Sequence, residues 1–112
     1  ETDCADVHHA IANNEQDFVL LHVVGSPEQF ARRHVPGALH MPWSQMTAER
    51  MAQWPEGTLF VVYCAGPHCN GADRAALKLA RLGLPVKIML GGITGWEDER
   101  YAFASEASVA AL

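Results

Sequence analysis

The chain has little positive charge, no long hydrophobic run and few cysteines, and each shortage excludes a class of protein. Its 8 lysine and arginine residues are outnumbered by 13 aspartate and glutamate residues, which gives a net charge of −5. Because such a chain offers no broad cationic surface to phosphates, we expect no nucleic-acid partner. No stretch approaches the roughly 18 to 20 apolar residues of a membrane span, so we expect no membrane partner either.

The three cysteines, Cys4, Cys64 and Cys69, are an odd number in a chain of 112 residues. A domain of this size buries a core without covalent cross-links, so the cysteines do not indicate a secreted disulfide framework. The acidic N-terminal residues precede neither a basic nor an apolar region, so no targeting peptide is visible. We expect a cytoplasmic location, with the periplasm left open. Cys4 is expected to be inert in a mobile N-terminal segment.

The organisation of the chain is that of one globular domain. Hydrophobic residues make up 49% of the sequence, and no repeat or low-complexity tract interrupts it. We expect a single domain over residues 1–112, with its core at about residues 6–103 and a C-terminal tail at 104–112. Trp43, Met46, Met51 and Trp54 are expected to belong to that core.

Short apolar runs alternate with amphipathic segments along the chain. The apolar runs predict strands at residues 18–24, 58–63 and 86–90, and a Pro-Gly turn leads into residues 38–41. Helical spacing predicts helices at residues 2–14, 27–33, 44–54, 72–82 and 96–103. Because strands that alternate with helices form parallel sheets, the sequence predicts an α/β fold.

A cysteine stands at the junction of the strongest predicted strand and the most regular predicted helix. The junction reads Cys64-Ala65-Gly66-Pro67-His68-Cys69-Asn70-Gly71. Open α/β sheets bind ligands at the carboxyl ends of their strands. The two glycines allow backbone N–H groups to turn inward, and the helix that follows directs its positive end to the same point. Residues 65–71 therefore predict an anion cradle that lowers the pKa of Cys64 and makes it a nucleophile.

Cys69 lies five positions after Cys64 in the same loop. It could resolve a sulfenate or persulfide on Cys64 as a disulfide, or it could only line the loop, and the sequence leaves both interpretations open. A non-enzymatic redox-sensing or binding module that uses this pair is the alternative function. Cys64→Ser should abolish catalysis that Cys69→Ser mostly spares, whereas either substitution should abolish the response of a sensor.

Two other uses of such a cysteine fit the residues less well. A cysteine phosphatase or arsenate reductase needs an arginine six residues after the cysteine, but position 70 is asparagine. A structural zinc site needs closely spaced ligand pairs at two places. Cys64, His68 and Cys69 offer ligands, and so do His8 and His9, but the sequence has no second Cys-x-x-Cys or His-x-x-x-His motif. We therefore expect no metal.

Two histidines outside the loop have structural interpretations. His22 interrupts an apolar strand, and we expect it to be a hydrogen-bonded core histidine. His34 precedes Val35, Pro36 and Gly37, and we expect it to brace their turn rather than to act as a base for the loop cysteine.

Three stretches of the chain, within residues 6–103, resemble the rhodanese family of sulfurtransferases. The first is the sequence FARRHVPGA at residues 30–38, which is similar to the family's aromatic-x-x-x-His-aliphatic-Pro-Gly-Ala signature. The second is VVYC at residues 61–64 together with the helix after the loop, and the third is LGGITGW at residues 90–96. The resemblance implies a three-layer fold, with a mainly parallel sheet of about five strands and helices on both faces.

In that family the cysteine that corresponds to Cys64 accepts a sulfane sulfur as a persulfide and passes it to a thiophilic acceptor. The resemblance therefore implies a sulfurtransferase with no cofactor, whose donor is thiosulfate or a small-molecule or protein persulfide and whose acceptor is a thiol. The loop is about two residues longer than is usual in the family and lacks its basic residue, which leaves His68 as the only ionisable cationic candidate within it. Such a pocket suits a protein persulfide or a bulkier thiol at least as well as thiosulfate.

Overall fold

A parallel five-stranded sheet forms the centre of the computed structural model, which describes residues 1–66 and 69–105. The strands are β1 (Thr2–Asp3), β2 (Phe18–His22), β3 (Leu39–His40), β4 (Leu59–Tyr63) and β5 (Val86–Leu90). They follow the order β1-β5-β4-β2-β3, and every adjacent pair is parallel. The predicted α/β fold is confirmed, and β4 lies at the middle of the sheet.

Helices cover both faces of this sheet. They are α1 (Cys4–Ala12), α2 (Pro27–Arg32), α3 (Ala48–Met51), α4 (Gly71–Arg81) and α5 (Gly92–Asp98). One buried cluster joins the sheet to α3 and α4, and the other joins it to α1, α2 and α5. Successive side chains of a strand point to opposite faces, so Val62 packs in the first cluster and Tyr63 in the second. The predicted three layers are therefore confirmed. No helix in the described part of the chain has the length and apolar character needed to cross a bilayer.

The predicted helix at residues 44–54 is wrong as a continuous element. A 3-10 turn at Trp43–Gln45 comes first, and α3 follows as a separate single turn. The reason is Thr47, whose hydroxyl accepts a hydrogen bond from the backbone N–H of Arg50 and so caps a new helix. The expected core role of this region is confirmed, because Met46 and Met51 are buried and the two tryptophans pack against the same cluster.

The N-terminal segment is also different from its prediction. Cys4 is buried rather than mobile, since β1 pairs with β5 and α1 begins directly after it. The Cys4 thiol donates hydrogen bonds to the carbonyl oxygens of Leu90, at 3.5 Å, and Gly92, at 3.6 Å. Burial, with the nearby carboxylates of Asp3 and Glu99, raises the pKa of Cys4 to about 11. A thiol with this pKa is protonated and unreactive at neutral pH, as expected.

Candidate active site

Cys64 directly follows β4, at the carboxyl edge of the sheet and next to the start of α4. Its side chain lies on the face that α4 covers and is 4% exposed. The start of α5 holds the backbone of this turn, because the N–H of Ile93 donates to the carbonyl oxygen of Cys64 at 3.0 Å. The N–H and hydroxyl of Thr94 both donate to the carbonyl oxygen of Ala65, at 2.9 and 3.0 Å. The nucleophile candidate therefore sits on a backbone turn that the start of α5 fixes.

Gly71, the first residue of α4, allows the helix to begin against both loop cysteines. A Cβ at this position would overlap the side chain of Val24 and lie 3.5 Å from the Cβ of Cys64 and from the sulfur of Cys69. Any other residue would therefore have to displace the side chain of Val24, whereas glycine lets α4 begin against it and the two cysteines.

Each of the two loop cysteines has a hydrogen bond between its sulfur and a backbone group of the loop or of α4. The Cys64 thiol donates to the carbonyl oxygen of Cys69 at 3.3 Å, and the Cys69 sulfur accepts from the backbone N–H of Gly71 at 3.5 Å. Both cysteines line a cavity of about 90 Å³, together with Gly66, Ala72 and the end of β5. The structure therefore brings the two loop cysteines together at one cavity, and the anion-binding role of the loop stays a prediction.

The ionisation of the pair differs from the prediction. Burial raises the pKa of the Cys64 thiol, its hydrogen bond with Cys69 raises it further, and the N–H groups of Ala72 and Gly66 only partly oppose this. The predicted lowering of the Cys64 pKa is therefore wrong, because desolvation of a nearly inaccessible sulfur outweighs the amide donors.

Of the two loop thiols, Cys69 is the one that ionises first as the pH rises. Burial opposes its ionisation, but hydrogen bonds from the Cys64 thiol and from the N–H groups of Gly71 and Ala65 outweigh burial and lower the pKa of Cys69. The two thiols titrate as a pair, in which Cys69 loses its proton more readily than Cys64.

The structure describes only some of the other residues of the predicted loop at 65–71. Asn70 is exposed at the N-cap of α4 and makes no capping hydrogen bond with its side chain. Pro67 and His68 lie outside the described residues. Among the described residues that line the cavity there is no side-chain cation, and Arg74 lies instead over the ring of Trp43, at 5.1 Å. Across residues 1–66 and 69–105, no three histidine, cysteine or acidic side chains come together as metal ligands would.

A buried histidine on the opposite face of the sheet was expected in the core, but its network was not predicted. The Nδ1 atom of His22 lies 2.9 Å from the hydroxyl of Tyr63, which accepts a hydrogen bond from the N–H of Val35 at 3.1 Å. The expected hydrogen-bonded core histidine is confirmed. Burial, with the neighbouring rings of His40 and His34, lowers the pKa of His22 to about 4, so its ring is neutral at physiological pH.

His34 has the structural position expected of it. Its Nδ1 atom lies 2.7 Å from the carbonyl oxygen of Phe30, and its ring stacks on the Phe30 ring with centroids 4.0 Å apart. Its backbone pairs with that of Ala104. These contacts fix the end of α2 before the turn at Val35.

The fold is similar to that of several solved structures. The BH2092 protein from Bacillus halodurans is 31% identical, with a TM-score of 0.88 over 95% of this chain and 77% of that one. The rhodanese-like domain of the Alr3790 protein from Anabaena sp. is 20% identical, with a TM-score of 0.81 over 94% of this chain and 78% of that one. A thiosulfate sulfurtransferase from Pseudomonas aeruginosa is 20% identical, with a TM-score of 0.71 over 93% of this chain but only 20% of that one.

Comparison with family models gives one match. The model of the rhodanese-like domain matches residues 5–99, which include β2 to β5 and both loop cysteines. Among proteins of curated function, none matches this chain.

Proposed function

Because the chain belongs to the family of rhodanese-like domains, we propose that it is a sulfurtransferase that carries a sulfane sulfur as a persulfide on Cys64. The observation that carries the proposal is the position of Cys64 between β4 and α4, where the N–H groups of Ala72 and Gly66 stabilise negative charge on its sulfur. The terminal sulfur of a persulfide is anionic and needs such donors. The adjoining cavity of about 90 Å³ has room for this additional sulfur atom.

The first half of the reaction forms the persulfide on Cys64 and releases a proton. The Cys64 sulfur attacks the sulfane sulfur of the donor, a new S–S bond forms, and the S–S bond of the donor breaks. The donor leaves with the electron pair, as sulfite from thiosulfate or as a thiolate from a persulfide. The proton of Cys64 passes to solvent, and Cys69 takes no part in the bonds that form and break.

The second half returns the sulfur to an acceptor. The sulfur of an acceptor thiol attacks the terminal persulfide sulfur, the bond to Cys64 breaks, and the acceptor leaves as a persulfide while its proton restores the Cys64 thiol. Each S–S bond that breaks is replaced by another, so the cycle needs no redox cofactor.

The charge of the residues that line the cavity indicates which sulfur donor it suits better. Thiosulfate carries two negative charges, and the described lining offers it backbone N–H groups and no side-chain cation, with Asp73 on its rim. A persulfide of a protein or small molecule carries less charge and needs less compensation. We therefore propose a persulfide as the better donor and a thiol as the acceptor.

The cytoplasmic location and the domain limits expected from the sequence stay predictions.

Mass spectrometry of the intact protein and its peptides tests the proposal. The protein is incubated in parallel with thiosulfate, with 3-mercaptopyruvate and with a persulfide-loaded cysteine desulfurase. We expect an adduct of about 32 Da, one sulfur atom, on the Cys64 peptide. Cys64→Ser should abolish the adduct, and Cys4→Ser, which removes a buried thiol elsewhere, should retain it. Absence of the adduct with all three donors would overturn the proposal.

A redox sensor is the second candidate, because the Cys64 thiol is hydrogen-bonded to Cys69 in the same cavity. Its reaction is the joining of the two thiols to a disulfide, with two electrons and two protons passing to an oxidant such as peroxide. A sensor should lose two hydrogen atoms without gaining sulfur, and either serine substitution should abolish that change. A sulfurtransferase should keep most of its transfer in Cys69→Ser.

A further inference from the structure

Besides the cavity of about 90 Å³ that the two loop cysteines line, a cleft lies on the other side of the Cys64–Ala65 backbone. It has a volume of about 280 Å³, and its wall includes His22, Arg32, Ala65 and Ile93. The two cavities share no lining residue, because the cavity at the two cysteines lies towards β5 and α4, whereas this cleft lies towards the end of β2 and α2. Its volume is close to the roughly 300 Å³ at the lower end of small-molecule sites. The proposed sulfur transfer leaves this cleft unused.

The hydrogen bonds around His22 favour one tautomer of its ring. The Tyr63 hydroxyl accepts the N–H of Val35, and within the described residues Nδ1 of His22 is the acceptor in reach of the hydroxyl proton. A neutral imidazole carries one N–H, and since Nδ1 is the acceptor, that N–H is at Nε2.

His22 lines the cleft, and Nε2 is the nitrogen of its ring that the Tyr63 hydroxyl does not contact. The residue is only 3% exposed, and Nε2 has no hydrogen-bond partner in the part of the chain that the structure describes. Among the same residues, no fully enclosed side-chain nitrogen or oxygen lacks a partner. Nε2 is therefore not sealed in the core, and the space next to the ring is this cleft. A buried donor facing a cleft favours a ligand with an acceptor atom.

A guanidinium group stands at the same cleft. Arg33 pairs with Glu97 and lies over the ring of Phe103, 4.8 Å from its centroid, so its charge is already compensated. Arg32 forms no ion pair within residues 1–66 and 69–105, and its side chain lines the cleft. The cleft thus combines a cation and a neutral N–H donor with the apolar side chains of Val24 and Ile93.

We propose that this cleft binds a small organic carboxylate, which Arg32 and the Nε2–H of His22 hold. A guanidinium matches a carboxylate with two parallel hydrogen bonds, and the apolar wall suits a short aliphatic chain. Ala65, which lines the cleft, directly follows Cys64, so the carboxylate could belong to a thiol that exchanges sulfur there or to a sulfur-free effector. The first source rests on the proposed function, whereas the carboxylate site itself does not.

Amide NMR spectra of the Cys64→Ser protein titrated with butyrate test the site without any sulfur chemistry. We expect the amide signals of Val24, Ala65 and Ile93 to shift with butyrate and not with 1-butanol. Arg32→Gln should weaken butyrate binding roughly tenfold, as expected for one charge-assisted contact. Arg81→Gln, which removes an exposed arginine at the end of α4, should leave the affinity unchanged. Equal binding by the two variants, or no binding, would overturn the proposal.

The role of the histidine has its own readout. Long-range ¹H–¹⁵N spectra of the imidazole should show the Nε2–H tautomer for His22, and its Nε2 signal should move on addition of butyrate. A Nδ1–H tautomer would overturn the assigned donor. Tyr63→Phe removes the hydroxyl that donates to Nδ1 of His22. The neutral tautomer with its hydrogen on Nε2 should then lose population, and butyrate should bind more weakly.

An experiment with the wild-type protein distinguishes the two sources of the carboxylate, a sulfur-exchanging thiol and a sulfur-free effector. Its Cys64 persulfide is offered 3-mercaptopropionate and, in parallel, 2-mercaptoethanol, which has no carboxylate. If the ligand is a sulfur substrate, the carboxylate thiol should have the higher kcat/KM, and Arg32→Gln should remove this preference. Binding of butyrate without such a preference would assign the site to an effector. If no persulfide forms at all, the proposed function fails while the butyrate titration still decides the cleft.

Discussion

A methyl group on Gly92 would overlap the carbonyl oxygen of Cys64, so α5 can begin beside the Cys64 turn only with glycine at this position. The same oxygen accepts a hydrogen bond from the N–H of Ile93. Gly92 also has a φ of +56°, a conformation that residues with a Cβ rarely adopt. The glycine pair of the LGGITGW motif therefore shapes the backbone under the nucleophile candidate rather than contributing a side chain.

Gly92→Ala should both destabilise the protein and displace the Cys64 turn. The unfavourable φ and the overlap together should cost about 2 to 5 kcal/mol of unfolding free energy, measured by urea denaturation. Gly57→Ala is the matched control, because Gly57 has a φ of +87° and open space around it. That variant should lose only about 1 to 2 kcal/mol and keep the persulfide yield of Cys64. Equal losses in both variants would show that the contact with Cys64 is unimportant.

Cys69→Ser should lower the pH at which Cys64 becomes reactive. Burial raises the pKa of Cys64, and the hydrogen bond and charge of Cys69 raise it further, so loss of the Cys69 thiol removes two of the causes. The rate of alkylation of the Cys64 peptide by iodoacetamide, followed by mass spectrometry from pH 6 to 10, should shift to lower pH. Cys4→Ser, which removes a thiol outside the pair, should leave the profile unchanged. A profile that moves to higher pH in Cys69→Ser would contradict the described coupling.

Leu79→Ala should destabilise the domain through the helix that follows the loop. Leu79 is fully buried against the sheet, and its truncation leaves a cavity that should cost about 2 to 5 kcal/mol. Leu77→Ala is the same substitution on the same helix, but Leu77 is 51% exposed, so the free energy of unfolding should change by no more than about 0.5 kcal/mol. Thermal unfolding of both variants measures the difference. Similar melting temperatures would mean that α4 does not pack on the sheet as described.

The elements that carry the site were predictable because their signals are local. The apolar run of β4, the glycines of the loop and the apolar face of α4 lie within about 25 consecutive residues, and their periodicity is sufficient to order strand, loop and helix. By contrast, β1 and β3 have two residues each, too few for any periodicity. They form only because a neighbouring strand offers unpaired backbone groups.

The ionisation of the site and its second cleft depend on contacts that the sequence does not display. The cradle geometry predicts a low pKa for Cys64, but the burial of its sulfur, which reverses the shift, arises only when α4 and β5 pack around it. His22 and Tyr63 are 41 residues apart and meet because β2 and β4 pair in register. Isolation of His22 in an apolar run was a signal that it is hydrogen-bonded, but it could not identify the partner.

The stability of the protein should fall between pH 6.5 and pH 4 because of His22. Its pKa is lowered from 6.5 to about 4 by burial and by His40 and His34, so in this window the unfolded chain binds a proton that the folded protein does not. The free energy of unfolding therefore decreases as the pH falls through this range, by roughly 3 kcal/mol at most from this residue. Urea denaturation at several pH values measures the slope. His22→Gln should flatten it, whereas His9→Gln, an exposed histidine of α1, should not. A slope that His22→Gln leaves unchanged would mean that this ring is not buried in its neutral form.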